Sequence, residues 1–170
     1  VMLAPERTPD GKPALALPCD MAQLDERACW DRAVTLDLSR FGRIAFWVKV
    51  EGSRSAISGT NIYFNAGGGW YGSGFSLPST GWRKIVIDRG AFRTEDSPEG
   101  WNAIKAIRIS FWKGQPSKTT VYFGGLEAIA SDVGLSILSL STSIFAEYST
   151  LSPSRLLVTR QRGPSQQAAV

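Results

Sequence analysis

The most restrictive absence in this chain of 170 residues is that of histidine, which does not occur at all. Its absence excludes the commonest general base, the serine–histidine nucleophile pair, and zinc or iron sites built on imidazole ligands. Basic residues are scattered singly, and the net charge is only +4. No run of five or more lysines or arginines marks a surface for nucleic acid or anionic lipid. We therefore expect no nucleic-acid partner.

Cysteines and long apolar runs are also scarce. The two cysteines, Cys19 and Cys29, flank a polar stretch, so a disulfide across a hairpin and two separate buried thiols both fit the sequence. The most apolar stretch, residues 135–146, is interrupted by serine and threonine and is too short to span a bilayer. Residues 1–12 carry prolines and charges instead of the apolar core of a signal peptide. We expect an excised or processed piece with no membrane span.

What the chain has in quantity is alternation between apolar and polar side chains. Successive side chains of a strand point to opposite faces, so an aliphatic residue at every second position indicates a half-buried strand. The segments with this pattern are residues 14–19, 28–38, 43–51, 60–65, 70–77, 82–88, 104–112 and 119–129. Turn residues separate the segments, and no stretch has a helical period of helical length. The sequence predicts an all-β fold, an antiparallel β-sandwich of jelly-roll type.

The length of the chain suits one well-buried domain. We expect residues 1–13 to be an extended lead-in and residues 14–130 to form the β-sandwich domain. In residues 131–170 serine, threonine and glutamine become frequent and tryptophan disappears, which indicates a linker or part of a following domain. Within the sandwich, residues 93–100 read as a surface loop, with one helical turn near Trp101.

Three consecutive glycines, Gly67 to Gly69, raise the question of a phosphate-binding loop. No lysine followed by serine or threonine comes after them, and the next residues, Trp70 and Tyr71, begin a predicted strand. The pattern therefore predicts a hairpin turn. A turn of glycines also lets the backbone and the neighbouring aromatic rings approach a bound ligand closely.

Aromatic, amide and guanidinium groups occupy the side of the predicted strands opposite the aliphatic residues. Aromatic rings can pack against the C–H groups of a sugar, while amides and guanidinium groups bond its hydroxyls. The predicted ligand-binding residues are Trp47, Asn61, Tyr63, Asn65, Trp70, Tyr71, Arg108 and Trp112. The alternative is that these rings cover the sheet against a loop or another domain.

Catalytic and metal-binding signals are weak. Most acidic residues lie in predicted turns, where a solvated charge is the usual reason for their presence. Tyr63 with Arg108 keeps a histidine-free lyase open as an alternative, although we predict no enzyme and no cofactor. A structural calcium ion would have Asp20, Asp37 and Glu127 as candidate ligands, but no calcium-loop motif occurs, and none is predicted.

The order of several short motifs resembles a known kind of domain. The motifs are Trp30-Asp-Arg32, Leu36-Asp-Leu-Ser39, Ile62-Tyr-Phe64, Gly67-Gly-Gly-Trp-Tyr-Gly72, Phe92-Arg-Thr-Glu95, Gly100-Trp101 and Ile107-Arg-Ile-Ser-Phe-Trp-Lys-Gly114. Over residues 14–130 they resemble a β-sandwich domain of large multidomain proteins from polysaccharide-degrading bacteria. The plan is similar to that of galactose-binding-like domains and of the non-catalytic carbohydrate-binding modules of glycoside hydrolases.

This resemblance implies a jelly roll that binds a polysaccharide or oligosaccharide on its concave face, in a host protein whose catalytic chemistry lies elsewhere. It also implies a secreted or cell-envelope location and a neighbouring domain of the same polypeptide as a second partner. We therefore expect a carbohydrate-binding accessory module. The alternatives are a structural β-sandwich that docks onto another domain and a jelly-roll enzyme similar to polysaccharide lyases.

Overall fold

The computed structural model describes residues 1–130 and the backbone of residues 137–139, and these fold into two antiparallel sheets. In chain order the strands are β1 Met2–Arg7, β2 Pro13–Asp20, β3 Arg27–Leu36, β4 Phe41–Gly52, β5 Ile57–Asn65, β6 Gly69–Gly74, β7 Arg83–Asp88, β8 Arg93–Asp96, β9 Ile104–Lys113, β10 Lys118–Ala130 and β11 Ile137–Ser139. Sheet I has the order β1-β2-β10-β4-β7, with β11 paired to the end of β10. Sheet II has the order β3-β9-β5-β6-β8.

The core lies between the two sheets and is built from the aliphatic and phenylalanine positions of the alternation. Phe46 and Phe123 of sheet I and Phe64 and Phe111 of sheet II are fully buried. The rings of Phe46 and Phe123 lie 5.0 Å apart between centroids. Burying one such side chain contributes about 1.5–3 kcal/mol. The predicted all-β antiparallel sandwich of jelly-roll type is confirmed.

Two segments differ from the prediction. Met2–Arg7, expected as a lead-in, pairs with β2 as an edge strand of sheet I. Arg93–Asp96, expected as a loop, is an edge strand paired with β6, and its four side chains are all exposed. A strand without a buried face shows no alternation, so the pattern could not reveal it. Trp101 lies in a turn, while 3-10 turns form at Arg54–Ala56 and Arg89–Ala91.

The two cysteines lie in different sheets, and both are free. Cys19 on β2 points into the core and is 1% exposed. Cys29 on β3 lies opposite Ser110, on the side of sheet II away from the core. Of the two possibilities that the sequence left open, the structure shows two separate thiols, because the core lies between them.

The predicted boundaries of the domain remain predictions. The segment 131–170 lies outside the described residues, apart from the backbone of β11. Within the described part of the chain, no helix is long and apolar enough to cross a membrane.

Candidate ligand-binding face

The surface of sheet II that points away from the core is formed by alternate residues of its five strands, and we call it the outer face of sheet II. Its main members are Arg27, Cys29, Asp31, Asn61, Tyr63, Asn65, Trp70, Gly72, Gly74, Arg93, Glu95, Arg108, Ser110 and Trp112. At its centre Tyr63 pairs with Arg108 on one side and Gly72 on the other. The structure brings together six of the eight predicted ligand-binding residues here: Asn61, Tyr63, Asn65, Trp70, Arg108 and Trp112.

Trp47 is not part of this face, which corrects the prediction. It lies on β4 of sheet I, between Gly124 of β10 and Lys84 of β7, on the outer side of the opposite sheet. The Lys84 ammonium lies 5.8 Å from the centre of its ring. Alternation shows that Trp47 points away from the core, but it does not show which sheet the strand joins. The core separates Trp47 from the six predicted residues on the outer face of sheet II.

Tyr71 is also misplaced in the prediction. Trp70 points outward from β6, so Tyr71, its neighbour, points inward. The Tyr71 ring stacks on Trp101 with centroids 4.3 Å apart and planes 17° apart. The pair packs against the hydrophobic core. Tyr71 is therefore a packing residue and does not border the face.

A bidentate ion pair crosses the first two strands of the outer face. Arg108 donates from Nε to Asp31 Oδ1 and from Nη2 to Asp31 Oδ2, both at 2.7 Å. This pairing raises the pKa of the guanidinium above its usual value. The same guanidinium carbon lies 4.6 Å from the centre of the Trp70 ring. The guanidinium of Arg108 is therefore held by a carboxylate and also packs against an indole.

Tyr63 forms the floor of the face and does not project from it. Only 7% of the residue is exposed. Its ring lies against Gly72 and meets Trp70 edge-on, with centroids 6.2 Å apart. Burial, and then the nearby negative charge of Glu95, raise the pKa of the Tyr63 phenol. The phenol therefore stays protonated at neutral pH.

Trp112 marks the far end of the face from Trp70. Its Nε1–H donates to Asn61 Oδ1 at 3.1 Å, and the Arg27 guanidinium lies 4.7 Å from the centre of its ring. A Cβ on Gly59 would lie 3.2 Å from the indole, so the ring covers this glycine. The hydrogen bond and the two packing contacts hold the indole in one orientation. Like Trp70, it is half-buried.

Asn65 belongs to the glycine turn as much as to the face. Its side-chain amide donates to the carbonyl of Gly69 at 3.1 Å. Gly67 has a φ of +67°, a conformation that favours glycine. Gly67 and Gly68 lie in the predicted turn between β5 and β6, and Gly69 begins β6 and leads Trp70 onto the outer face.

The acids considered as calcium ligands have other partners. Asp37 accepts hydrogen bonds from the backbone and side chain of Ser39. Asp20 pairs with Lys118 at 3.3 Å, and the buried Glu127 pairs with Lys12 and Lys84. Among residues 1–130 no group of three or more acids and cysteines is placed to hold a metal ion.

Comparison with known proteins gives a likeness at the level of structure only. No protein-family model matches the sequence, and no curated protein does. The chain resembles family 11 carbohydrate-binding modules. One is the module of the cellulosomal cellulase Lic26A-Cel5E of Clostridium thermocellum, at 12% identity over 69% of this chain and 88% of that chain, with a TM-score of 0.43.

A second structure is a family 11 carbohydrate-binding module from Clostridium thermocellum in complex with a β-1,3-1,4-mixed-linked tetrasaccharide. It is 18% identical over 65% of this chain and 82% of that chain, with a TM-score of 0.42. The likeness is of the same kind as the resemblance found in the sequence motifs.

Sequence reasoning missed Asp31, Gly72 and Glu95 as members of the face. The parity of Asp31 in its strand, opposite to that of Trp30, is a signal that it points outward. Its pairing with Arg108 depends on β3 lying beside β9, and the two residues are 77 positions apart. Glu95 can be assigned to the outer face of sheet II only when β8 is known to pair with β6.

Proposed function

We propose that this chain is a non-catalytic carbohydrate-binding module that takes a polysaccharide or oligosaccharide on the outer face of sheet II. The observation that carries the proposal is the diagonal from Trp112 to Trp70 across this face. Both indoles are half-buried and oriented by neighbours, and polar side chains fill the distance between them. Flat apolar patches separated by hydrogen-bonding groups match the alternating C–H and hydroxyl surfaces of a sugar chain.

The dimensions of the diagonal support an extended ligand over a single sugar. Along β9, Trp112 and Ala106 are six residues apart, and Ala106 pairs through Asn65 with the row of Trp70. At about 3.3 Å per residue, the backbone rows of Trp112 and Trp70 lie roughly 20 Å apart. Such a length accommodates several sugar units in a row. The lack of a side chain at Gly74 lowers the sheet surface beside Asn61.

Each residue of the diagonal has a role that its contacts support. Trp112 and Trp70 stack on sugar rings at the two ends. Asn61 uses its carbonyl oxygen to hold Trp112, so its amide nitrogen is the group that donates to a hydroxyl. Arg108 offers the N–H groups that Asp31 does not occupy. Tyr63 supports the face from below.

The proposed context is a larger secreted or cell-envelope protein of a polysaccharide-degrading bacterium, in which another domain carries the catalytic chemistry. The motifs Ile62-Tyr-Phe64 and Ile107–Gly114, on which the resemblance rests, contribute residues to the outer face of sheet II. A neighbouring domain of the same polypeptide is the second proposed partner.

Affinity electrophoresis tests the proposed function. The protein is run in native gels that contain one polysaccharide each, from a panel of plant and algal glycans that includes a mixed-linked β-glucan and uronic-acid polymers. We expect retardation by at least one glycan. Trp112→Ala and Trp70→Ala should each weaken the retardation, because one stacking contact contributes on the order of 1 kcal/mol, or about a fivefold change in affinity.

Tyr122→Ala is the matched control, since Tyr122 is a half-buried aromatic residue on the outer side of sheet I. This variant should migrate like the unaltered protein. The absence of retardation by every glycan contradicts the proposal. If only Tyr122→Ala loses retardation, the glycan binds on the outer side of sheet I. If the isolated chain self-associates, the result favours the alternative of a domain that docks onto a neighbour.

A further inference from the structure

Asp31 begins a chain of contacts that crosses the outer face of sheet II. It lies on β3, at the edge of the sheet, and its two carboxylate oxygens hold Arg108 of β9. The ring of Trp70, a residue of β6, has its centre 4.6 Å from the carbon of the same guanidinium, so this contact spans β5. Three residues that are distant in sequence are thus linked over four neighbouring strands.

The geometry of these contacts makes Trp70 dependent on Asp31. An arginine side chain has many rotamers, and fixing Nε together with Nη2 fixes the plane of its guanidinium. The carbon of this guanidinium lies 4.6 Å from the centre of the Trp70 ring, so the indole packs against a group that Asp31 holds in place. Trp70 follows the glycine turn directly, and on its other side it meets only the edge of Tyr63 among the aromatic rings of the described residues.

We propose that Asp31 is a positioning residue for ligand binding: by clamping Arg108 it holds the Trp70 indole in the orientation that receives a sugar. The inference rests on the proposed function of this face. Asp31 itself lies at the end of the row that runs through Arg108 and Tyr63, away from β6, and acts without contact with the ring that stacks on Trp70. Removal of the Asp31 carboxylate therefore affects ligand binding only through the side chains of Arg108 and Trp70.

A purely structural role for Asp31 predicts a different outcome. The Asp31 side chain is 35% exposed and that of Arg108 is 19% exposed. An ion pair so close to solvent contributes little to stability. Asp31→Asn keeps the size of the side chain and opens no cavity. We therefore expect a small effect on unfolding and a larger one on binding.

A double-mutant cycle measures the link between Asp31 and Trp70. Calorimetric titration with the polysaccharide that retards the unaltered protein most strongly is carried out on that protein, Asp31→Asn, Trp70→Ala and the double variant. We expect Asp31→Asn to weaken binding about two- to tenfold, the range of a partly desolvated cation–π contact. In the Trp70→Ala background the same substitution should have a clearly smaller effect, since only the direct hydrogen bonds of Arg108 to the ligand remain to be disturbed. Equal weakening in both backgrounds, or none in either, overturns the inference.

Glu51→Gln is the matched control, because Glu51 also pairs with a cation, Lys49, but on the outer side of sheet I. Its binding should equal that of the unaltered protein. A drop as large as that of Asp31→Asn shows a general effect of charge and contradicts a positioning role.

Near-ultraviolet circular dichroism without ligand separates failure of this inference from failure of the proposed function. The contribution of Trp70 to the spectrum is the difference between the spectra of the unaltered protein and of Trp70→Phe. Asp31→Asn should remove most of this contribution and leave the remaining spectrum intact. An unchanged Trp70 contribution overturns the positioning role even when glycan binds. If Asp31→Asn changes the Trp70 contribution but the unaltered protein binds no glycan, the result supports the orientation of Trp70 by Asp31 and Arg108. It contradicts only the glycan-binding function.

Discussion

The ring of Tyr63 lies over Gly72 of the neighbouring strand, and the two residues are directly paired. A Cβ added at Gly72 would come within 2.5 Å of Tyr63 Cε1 and 2.7 Å of Cδ1. Real Cβ atoms essentially never approach so closely. Gly74, two residues further along the same face, is different, because its nearest neighbour would be the Thr60 carbonyl at 3.5 Å. Glycine at position 72 thus makes room for the floor of the candidate site.

Gly72→Ala should therefore destabilise the protein by about 1–3 kcal/mol, since the tyrosine ring has to leave its rotamer or the strands have to separate. Chemical unfolding measures this loss. Gly74→Ala is the matched control and should be neutral within about 0.5 kcal/mol. Glycan binding should also weaken in Gly72→Ala, because a displaced Tyr63 no longer supports Trp70. Equal stability of the two variants would show that the ring does not occupy this position.

The two thiols should differ sharply in reactivity. Burial raises the pKa of Cys19 to about 12, and its side chain is inaccessible. Cys29 is half-buried on the outer face of sheet II, where its sulfur lies 3.4 Å from Ser110 Oγ. A maleimide should modify Cys29 alone in the folded protein, which mass spectrometry of peptides can show. Cys29→Ser should then take up no label.

Bound glycan should slow the labelling of Cys29 in proportion to the fraction of protein that is bound. Cys29 pairs with Ser110, two residues before Trp112 on β9, so a sugar ring stacked on Trp112 lies beside the thiol and restricts the approach of the reagent. A labelling rate that is the same with and without saturating glycan would place the ligand elsewhere.

Alkaline pH should destabilise the fold through Cys19. The pKa of its thiol rises from an ordinary 9.0 to about 12 on folding. The unfolded chain therefore loses this proton first, and the stability that is fully present below pH 9 declines as the pH rises towards 12. A rise of this size corresponds to roughly 4 kcal/mol.

Denaturant unfolding at pH 8, 9, 10 and 11 tests this on the unaltered protein and on Cys19→Ala. The variant should start lower at pH 8, because a buried sulfur is lost, and should then decline less steeply. Burial of Tyr63 and the Glu51 hydrogen bond of Tyr122 raise the pKa of both phenols and add a loss above pH 10 in both proteins. Parallel curves would contradict the role given to Cys19.

Glu127 should be important for stability because it is a buried carboxylate, 5% exposed, that faces two lysines. It pairs with Lys12 and, at 3.5 Å, with Lys84. Glu127→Gln should cost about 1–2 kcal/mol, since the half-buried Lys12 is left with only Asp10, 3.4 Å away, as a counter-charge. The exposed Glu51 gives the comparison, and Glu51→Gln should change the free energy of unfolding by less than about 0.5 kcal/mol. Thermal melts of the two variants measure these losses of stability. Losses of similar size in Glu127→Gln and Glu51→Gln would contradict the prediction.

The fold could be predicted from the sequence because alternation in β4, β5, β9 and β10 reflects burial on one side of each strand. The same pattern told which residues point outward, as for Asn61 and Trp112. It could not tell which outward residues share a surface. Trp47 and Asn61 have the same parity, yet β4 pairs with β10 and β7, whereas β5 pairs with β9 and β6. The pairing of strands that are distant in sequence decides which outward residues share a surface, and the local alternation does not indicate that pairing.

The candidate site was accessible to sequence reasoning only in part for the same reason. Trp70 was predicted next to a ligand from its place after the glycine turn, but Tyr71 was assigned to the same side although adjacent strand residues face opposite ways. The contact of Asp31 with Arg108 and that of Glu95 with the Tyr63 region depend on strand order. Neither has a signal in the local sequence.

The most direct test is to record the six indole Nε1–H signals by nuclear magnetic resonance during titration with the glycan that binds best. The account predicts that the signals of Trp70 and Trp112 shift with one common saturation curve. Those of Trp47 and Trp82, which lie in or next to sheet I, should stay in place. Shifts confined to Trp47 and Trp82, or no indole shift with saturated glycan, would contradict binding on the outer face of sheet II.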